Sequence, residues 1–123
     1  MKRNMDLIRL ILLEIEEQAA FPIDRLTIDG YTMKEVAYHC RLLHQHGFVD
    51  DYREEYGDDE LVDFGVGELT WEGHEYLDTV RDDSFWSKTK QLLLDKGIPL
   101  TLETVKAATN TLIAETIGKI IHP

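Results

Sequence analysis

One stretch, residues 33–77, limits the fold more than any other. It opens with MKEVAYHCRLLHQHG, where Met33, Val36, Cys40 and Leu43 recur at helical spacing and so share one face. Thr32 is placed to cap this helix, and Glu35, three residues on, completes a capping box. Gly47 follows the last periodic residue, where a left-handed C-terminal cap favours a residue without Cβ. Phe48 to Tyr56 and Leu61 to Leu69 then read as two β arms, with Gly57-Asp58-Asp59 as turn chemistry between them. Thr70 caps a further helix, in which Gly73 permits close packing and Tyr76, Leu77 and Val80 form an apolar side. Helix, glycine stop, hairpin and helix, in that order, predict the second half of a winged helix-turn-helix domain.

The flanking segments complete an α+β expectation. A first helix runs from about Asn4 or Asp6 to Gln18, with Leu7, Ile8, Ile11, Leu12, Ile15 and Ala19 on one stripe. Leu10 and Leu13 fall on its other side, which marks a helix lying between two layers. Arg25-Leu26-Thr27-Ile28 is β-prone and closed by Asp29-Gly30, leaving little room for the second helix of a complete helix-turn-helix. Beyond Asp82-Asp83-Ser84, a helix from Phe85 to about Lys96 stops at Gly97, with Pro99 preventing its continuation. Thr101 caps a last helix whose Leu102, Val105, Ala108, Leu112, Ile113, Ile117 and Ile120 form a broad stripe. The expected organisation is a winged-helix core over residues 1–83, abbreviated at its second helix. Two additional C-terminal helices over 84–123 pack on the first helix or mediate dimerisation.

Three sets of residues resemble a family of small bacterial and phage-associated proteins, known as a domain of unknown function with a winged-helix core. They are the opening MKRNMDLIRLILLEIEE, the central VAYHCRLLHQHGFV, and LTWEGHEYLDTVRDDSFWSKTK. More distantly, VAYHCRLLHQHGFV followed by LTWEGHEYL is similar to the helix, wing and following helix of small transcription regulators. That resemblance implies a helix lying in the DNA major groove and a hairpin touching the backbone. It carries over no catalytic residues.

Lys34, Tyr38, Arg41 and Gln45 lie at i, i+4, i+7 and i+11 of the 33–46 helix, on the side away from its core face. Lys and Arg reach phosphate or guanine edges, Gln pairs with adenine, and Tyr bonds phosphate. The stripe is therefore the candidate DNA reader, against the plainer reading of a solvated helix face. Leu42 beside it favours a protein partner, and Leu10, Leu13, Leu42, Leu112, Ile113 and Ile117 are the candidate partner interface.

Charge argues the other way. Residues 1–83 hold 8 Lys+Arg against 21 Asp+Glu, whereas 84–123 hold 5 against 3, and the whole chain is at −11. The hairpin tip alone offers Asp50, Asp51, Glu54, Glu55, Asp58, Asp59 and Glu60 against one cation, Arg53. Such a wing repels a phosphate backbone. Its acids blunt an exposed edge, attract a basic partner, or hold a cation, and no EF-hand spacing supports the last.

His39, His44, His46, His74 and Cys40 diverge around their helices, so no metal site is expected. There is no phosphate loop, nucleophile elbow or zinc-protease helix, so neither an enzyme nor a cofactor is expected. Trp71 and Trp86 are expected to pack the core against the C-terminal helices. One cysteine, no cleavage site after the opening apolar run and no bilayer-length segment give a cytoplasmic expectation. Two functions follow. The first is a small bacterial or phage regulator, binding double-stranded DNA through helix 33–46. The alternative is an acidic protein–protein interaction module that does not bind DNA.

Overall fold

A computed structural model describes residues 1–121. Among them are five helices and a small three-stranded antiparallel sheet, an α+β architecture. The elements run α1 (Met5–Glu17), β1 (Ile23–Asp24), α2 (Met33–His46), β2 (Tyr52–Gly57), β3 (Glu60–Val66), α3 (Trp71–Val80), α4 (Asp83–Asp95) and α5 (Leu102–Ile121). The chain forms two compact units, Met1–Leu77 and Asp78–Pro123.

In the first unit the helix signals act as their chemistry requires. Asn4 caps α1 by accepting the Leu7 N–H on Oδ1 at 3.1 Å. Thr32 and Glu35 form the capping box of α2: the Glu35 N–H donates to Thr32 Oγ1 at 3.2 Å, and the Thr32 N–H donates to Glu35 Oε1 at 3.0 Å. Those bonds hold the Glu35 carboxyl below its usual value, the backbone bond from Thr32 contributing most. Gly47 ends α2 at φ +88°, and the Phe48 N–H returns to the Leu43 carbonyl.

The sheet order is β1-β3-β2, with Ile23 opposite Val66 and Tyr52 opposite Val66 on either side. The turn between β2 and β3 uses Asp58 and Asp59, both at positive φ, the geometry of a two-residue hairpin connection. A side-chain period of two puts Tyr52, Glu54, Phe64 and Val66 on one face of the sheet and Arg53, Asp63 and Asp24 on the other. The first face joins the core, where Phe64 and Val66 are fully buried, and α1 (Leu7, Ile11, Leu12, Ile15) and α2 (Val36, Cys40, Leu43) bury their apolar faces in the same unit.

Gly73 lets α3 sit directly on the loop after α2. A Cβ there would lie 2.2 Å from the Phe48 carbonyl oxygen. Thr70 clamps the same junction, donating to the Gly47 carbonyl and accepting the Gly73 N–H. Phe48 then stacks on Tyr76 at 5.3 Å between ring centroids.

In the second unit Asp82 caps α4, Gly97 lies at φ +66° after its end, and Thr101 Oγ1 accepts the Thr104 N–H at the start of α5. Trp86, Leu93, Val105 and Ala108 are buried here.

Several expectations need correction. The first strand is Ile23–Asp24 and not residues 25–28, because Arg25 takes a left-handed φ of +50° and ends the extended run. Leu26 is used as a buried loop side chain instead. Met33 is exposed at the first turn of α2, and Ala37 completes the buried face. Ala19 lies past the end of α1 and is exposed. Trp71 is 77% exposed at the start of α3, whereas Trp86 is buried. The α5 stripe divides: Val105 and Ala108 are buried, whereas Ile113, Ile117 and Ile120 are exposed.

Candidate functional site

The outward side of α2 carries the stripe that the periodicity singled out. Lys34 and Gln45 are exposed, while Tyr38 and Arg41 are half-buried. The Arg41 guanidinium lies over the Tyr38 ring, 5.4 Å from its centroid. Arg41 Nη1 also stands 3.6 Å from Glu54 Oε1 of β2, and Glu54 accepts a 2.7 Å hydrogen bond from the Tyr52 hydroxyl. Glu54 therefore sits between a phenol and a guanidinium. Burial, then this bond to an anionic acceptor, pushes the Tyr52 hydroxyl well above the usual tyrosine range. The central cation of the stripe is thus matched by a carboxylate from the hairpin.

The far face of the hairpin follows the same rule. Asp24, Gly65 and Arg53 stand opposite one another across the three strands. Gly65 has no side chain, and a Cβ there would lie 2.9 Å from Arg53 Nε. The Arg53 side chain crosses that gap to pair with Asp24, and its Nη1 is 3.6 Å from Asp63 Oδ2. Arg25 Nε donates to the same carboxylate at 3.1 Å. Desolvation opposes the charge on Asp63, but Arg25, the Phe64 N–H and Arg53 together hold its carboxyl below the ordinary value. Arg25, Arg41 and Arg53 are all engaged with acids of this unit. Asp50, Asp51, Glu55, Asp58, Asp59 and Glu60 remain exposed around them.

The histidines do not converge. His44, His46 and His74 are exposed, and no group of three or more His, Cys, Asp or Glu side chains is placed to hold a metal among the described residues. His39 is 2% exposed and structural. The Asn4 N–H donates to its Nε2 at 2.8 Å, so that nitrogen carries the lone pair. Its Nδ1 then carries the proton and donates to the Glu35 carbonyl at 2.7 Å. Cys40 is fully buried, and desolvation pushes its thiol up to about 12, which removes it as a nucleophile in the folded state.

Of the candidate partner residues, Leu10, Leu13, Leu42 and Leu112 are half-buried, and Ile113 and Ile117 are 41% and 49% exposed. Leu10, Leu13 and Leu42 belong to the first unit, and the other three to the second. The partners of Arg41 and Arg53 were not singled out from sequence. The signal was present in the two-residue period of YRE, which turns Glu54 toward α2 and Arg53 away from it.

The profile of a family described as "Hypothetical protein (DUF2513)" matches residues 2–99. The chain belongs to this family. The chain is also similar to an "Uncharacterized protein" of Haemophilus influenzae, 35% identical over 121 residues, covering 96% of this chain and 100% of that protein. No solved structure matches the chain. The DUF2513 match spans the first unit and α4 and ends before α5. No helix among the described residues is long and apolar enough to cross a membrane.

Proposed function

We propose that the first unit is a winged helix used as an acidic protein–protein interaction module, a regulator that works by contact with a basic partner and not by catalysis. Support for the winged helix comes from the order α1-β1-α2-β2-β3-α3 and the sheet order β1-β3-β2. A turn at Ile28–Tyr31, closed by the Tyr31 N–H on the Ile28 carbonyl at 3.2 Å, stands in place of the second helix. α2 takes the position of a recognition helix and the β2–β3 hairpin that of the wing.

The observation that carries the functional half is the Arg41–Glu54 pair. A groove-reading helix needs its cations free for phosphate or base edges, and here the hairpin supplies a carboxylate to the middle of the stripe. The exposed acids of the hairpin and of the segment leading into it offer carboxylates complementary to lysine and arginine side chains. The test is a titration of isotope-labelled protein with an arginine-rich peptide at low salt, followed by backbone amide shifts. The reading expects shifts concentrated in residues 50–60. Absent shifts, or shifts confined to α4 and α5, would overturn it.

A second reading rests on a different observation. Lys34 and Gln45 stay exposed at the two ends of the same stripe, which keeps duplex DNA as the alternative ligand for α2. The two readings separate on binding to random duplex DNA at low salt.

A further inference from the structure

α5 has 20 residues, about 30 Å of helix, and only its first half is built into the second unit. Val105, Ala108 and Thr109 are buried, whereas no residue from Asn110 to Ile121 is. A dozen residues of helix are marginal in water unless one face is covered.

The exposed side has a definite pattern. Lys106, Asn110, Ile113, Ile117 and Ile120 succeed one another at alternating intervals of four and three, the spacing of a coiled-coil seam, and all are exposed. Ile113, Ile117, Ile120 and Ile121 are 41%, 49%, 74% and 62% exposed. Ala114 and Thr116 flank this seam, and the charged Glu115 and Lys119 fall on the back of the helix.

We propose that Asn110–Ile121 pairs in parallel and in register with the same segment of a second copy of this chain. Two features select a copy of itself. The seam and its flanks are uncharged from Asn110 onward, so like meets like without repulsion. Asn110 occupies the position where a buried amide fixes register in parallel two-stranded coiled coils, because one side chain both donates and accepts toward its twin. An antiparallel arrangement would set it against isoleucine or leave it outside the overlap. Upstream, Lys106 opposes its own copy and ends the pairing. The apolar patch is on the order of 300–400 Å² per protomer, below the roughly 800 Å² of a standard interface, so the dimer is weak and concentration-dependent.

The test is sedimentation velocity on the full chain from about 1 to 500 µM, a range spanning the affinity expected of so small an interface. Wild type is expected to move from monomer to dimer across this range. Ile117→Asp, at an exposed position, is expected to keep its circular dichroism and to raise the dissociation constant at least tenfold. Asn110→Cys is expected to form an intermolecular disulfide under mild oxidation, uncontested by the buried Cys40. A wild type that stays monomeric, or a dimer indifferent to Ile117→Asp, overturns the proposal. A dimer in which Asn110→Cys remains reduced overturns the parallel register.

Discussion

Arg41 of α2 and Glu54 of β2 face each other at 3.6 Å, with Tyr38 beneath the guanidinium and Tyr52 bonded to the carboxylate. The helix that would read DNA and the hairpin that would flank it are joined by opposite charges. Both side chains keep partial solvent access, 39% and 28%, so the pair is worth little to stability. A double-mutant cycle over Arg41→Ala and Glu54→Ala is expected to give a coupling of about 0.5–1 kcal/mol in chemical denaturation. The larger effect falls on electrostatics: Glu54→Gln unmasks a cation and is expected to strengthen duplex-DNA binding relative to wild type. Unchanged or weaker binding by Glu54→Gln would show that the pair does not limit DNA contact.

His39 ties the start of α1 to α2 through two backbone groups in a buried setting. His39→Ala leaves the Asn4 N–H and the Glu35 carbonyl without that partner and opens a cavity. A loss of about 2–3 kcal/mol is expected, from the usual penalty for stranded polar groups and lost packing. A loss within ~0.5 kcal/mol, the scale of an ordinary surface substitution, would mean that water replaces the ring.

Gly73→Ala reverses a familiar preference. In a helix interior alanine is favoured over glycine by about 0.5–1 kcal/mol, but here the added Cβ meets the Phe48 carbonyl, which belongs to the backbone and cannot swing aside. Destabilisation on the order of 1–3 kcal/mol is expected, the range for forced overpacking. A rise in melting temperature would contradict the packing.

The capping box gives a pH dependence of known sign. The Glu35 carboxyl is held below its ordinary value in the folded chain. Its contribution is fully present above the unfolded value, near pH 4.3, and is lost as pH falls through the folded value. Glu35→Gln is therefore expected to flatten the acid side of a stability-against-pH curve while leaving its shape near neutrality. A parallel curve for the variant would remove the box from the account.

Cys40 offers a probe of opening. With its thiol buried and pushed up to about 12, it should resist a thiol reagent at pH 8 in the folded state. Labelling is expected at the rate of unfolding or slower, and quickly in denaturant. Rapid native labelling would place α2 in a far looser setting.

The parts legible from sequence were those fixed by neighbours along the chain. Thr32, Glu35 and Gly47 set α2 at Met33–His46, and turn chemistry set the hairpin. What escaped depended on distant partners. Arg25 leaves the extended region although its run is β-prone. Gly65 is an ordinary strand glycine until Arg53 is seen to cross it. Trp71 resembles a core residue by type, yet it begins a helix whose buried side is set by Gly73, Tyr76 and Leu77. The stripe of α2 was readable as residues, but the pairing of Arg41 at its middle was not, because Glu54 reaches Arg41 only through the hairpin's register.

The central claim is that Glu54 masks the cation at the middle of this stripe and that the acidic hairpin disfavours DNA beside it. Fluorescence anisotropy of a labelled random duplex, titrated with wild-type protein at low salt and again at rising salt, tests it most directly. The account predicts no saturable binding up to about 100 µM protein, weaker than the 10⁻⁴–10⁻⁶ M typical of nonspecific binders. Micromolar or tighter binding that weakens steeply and linearly on a log–log salt plot would contradict it.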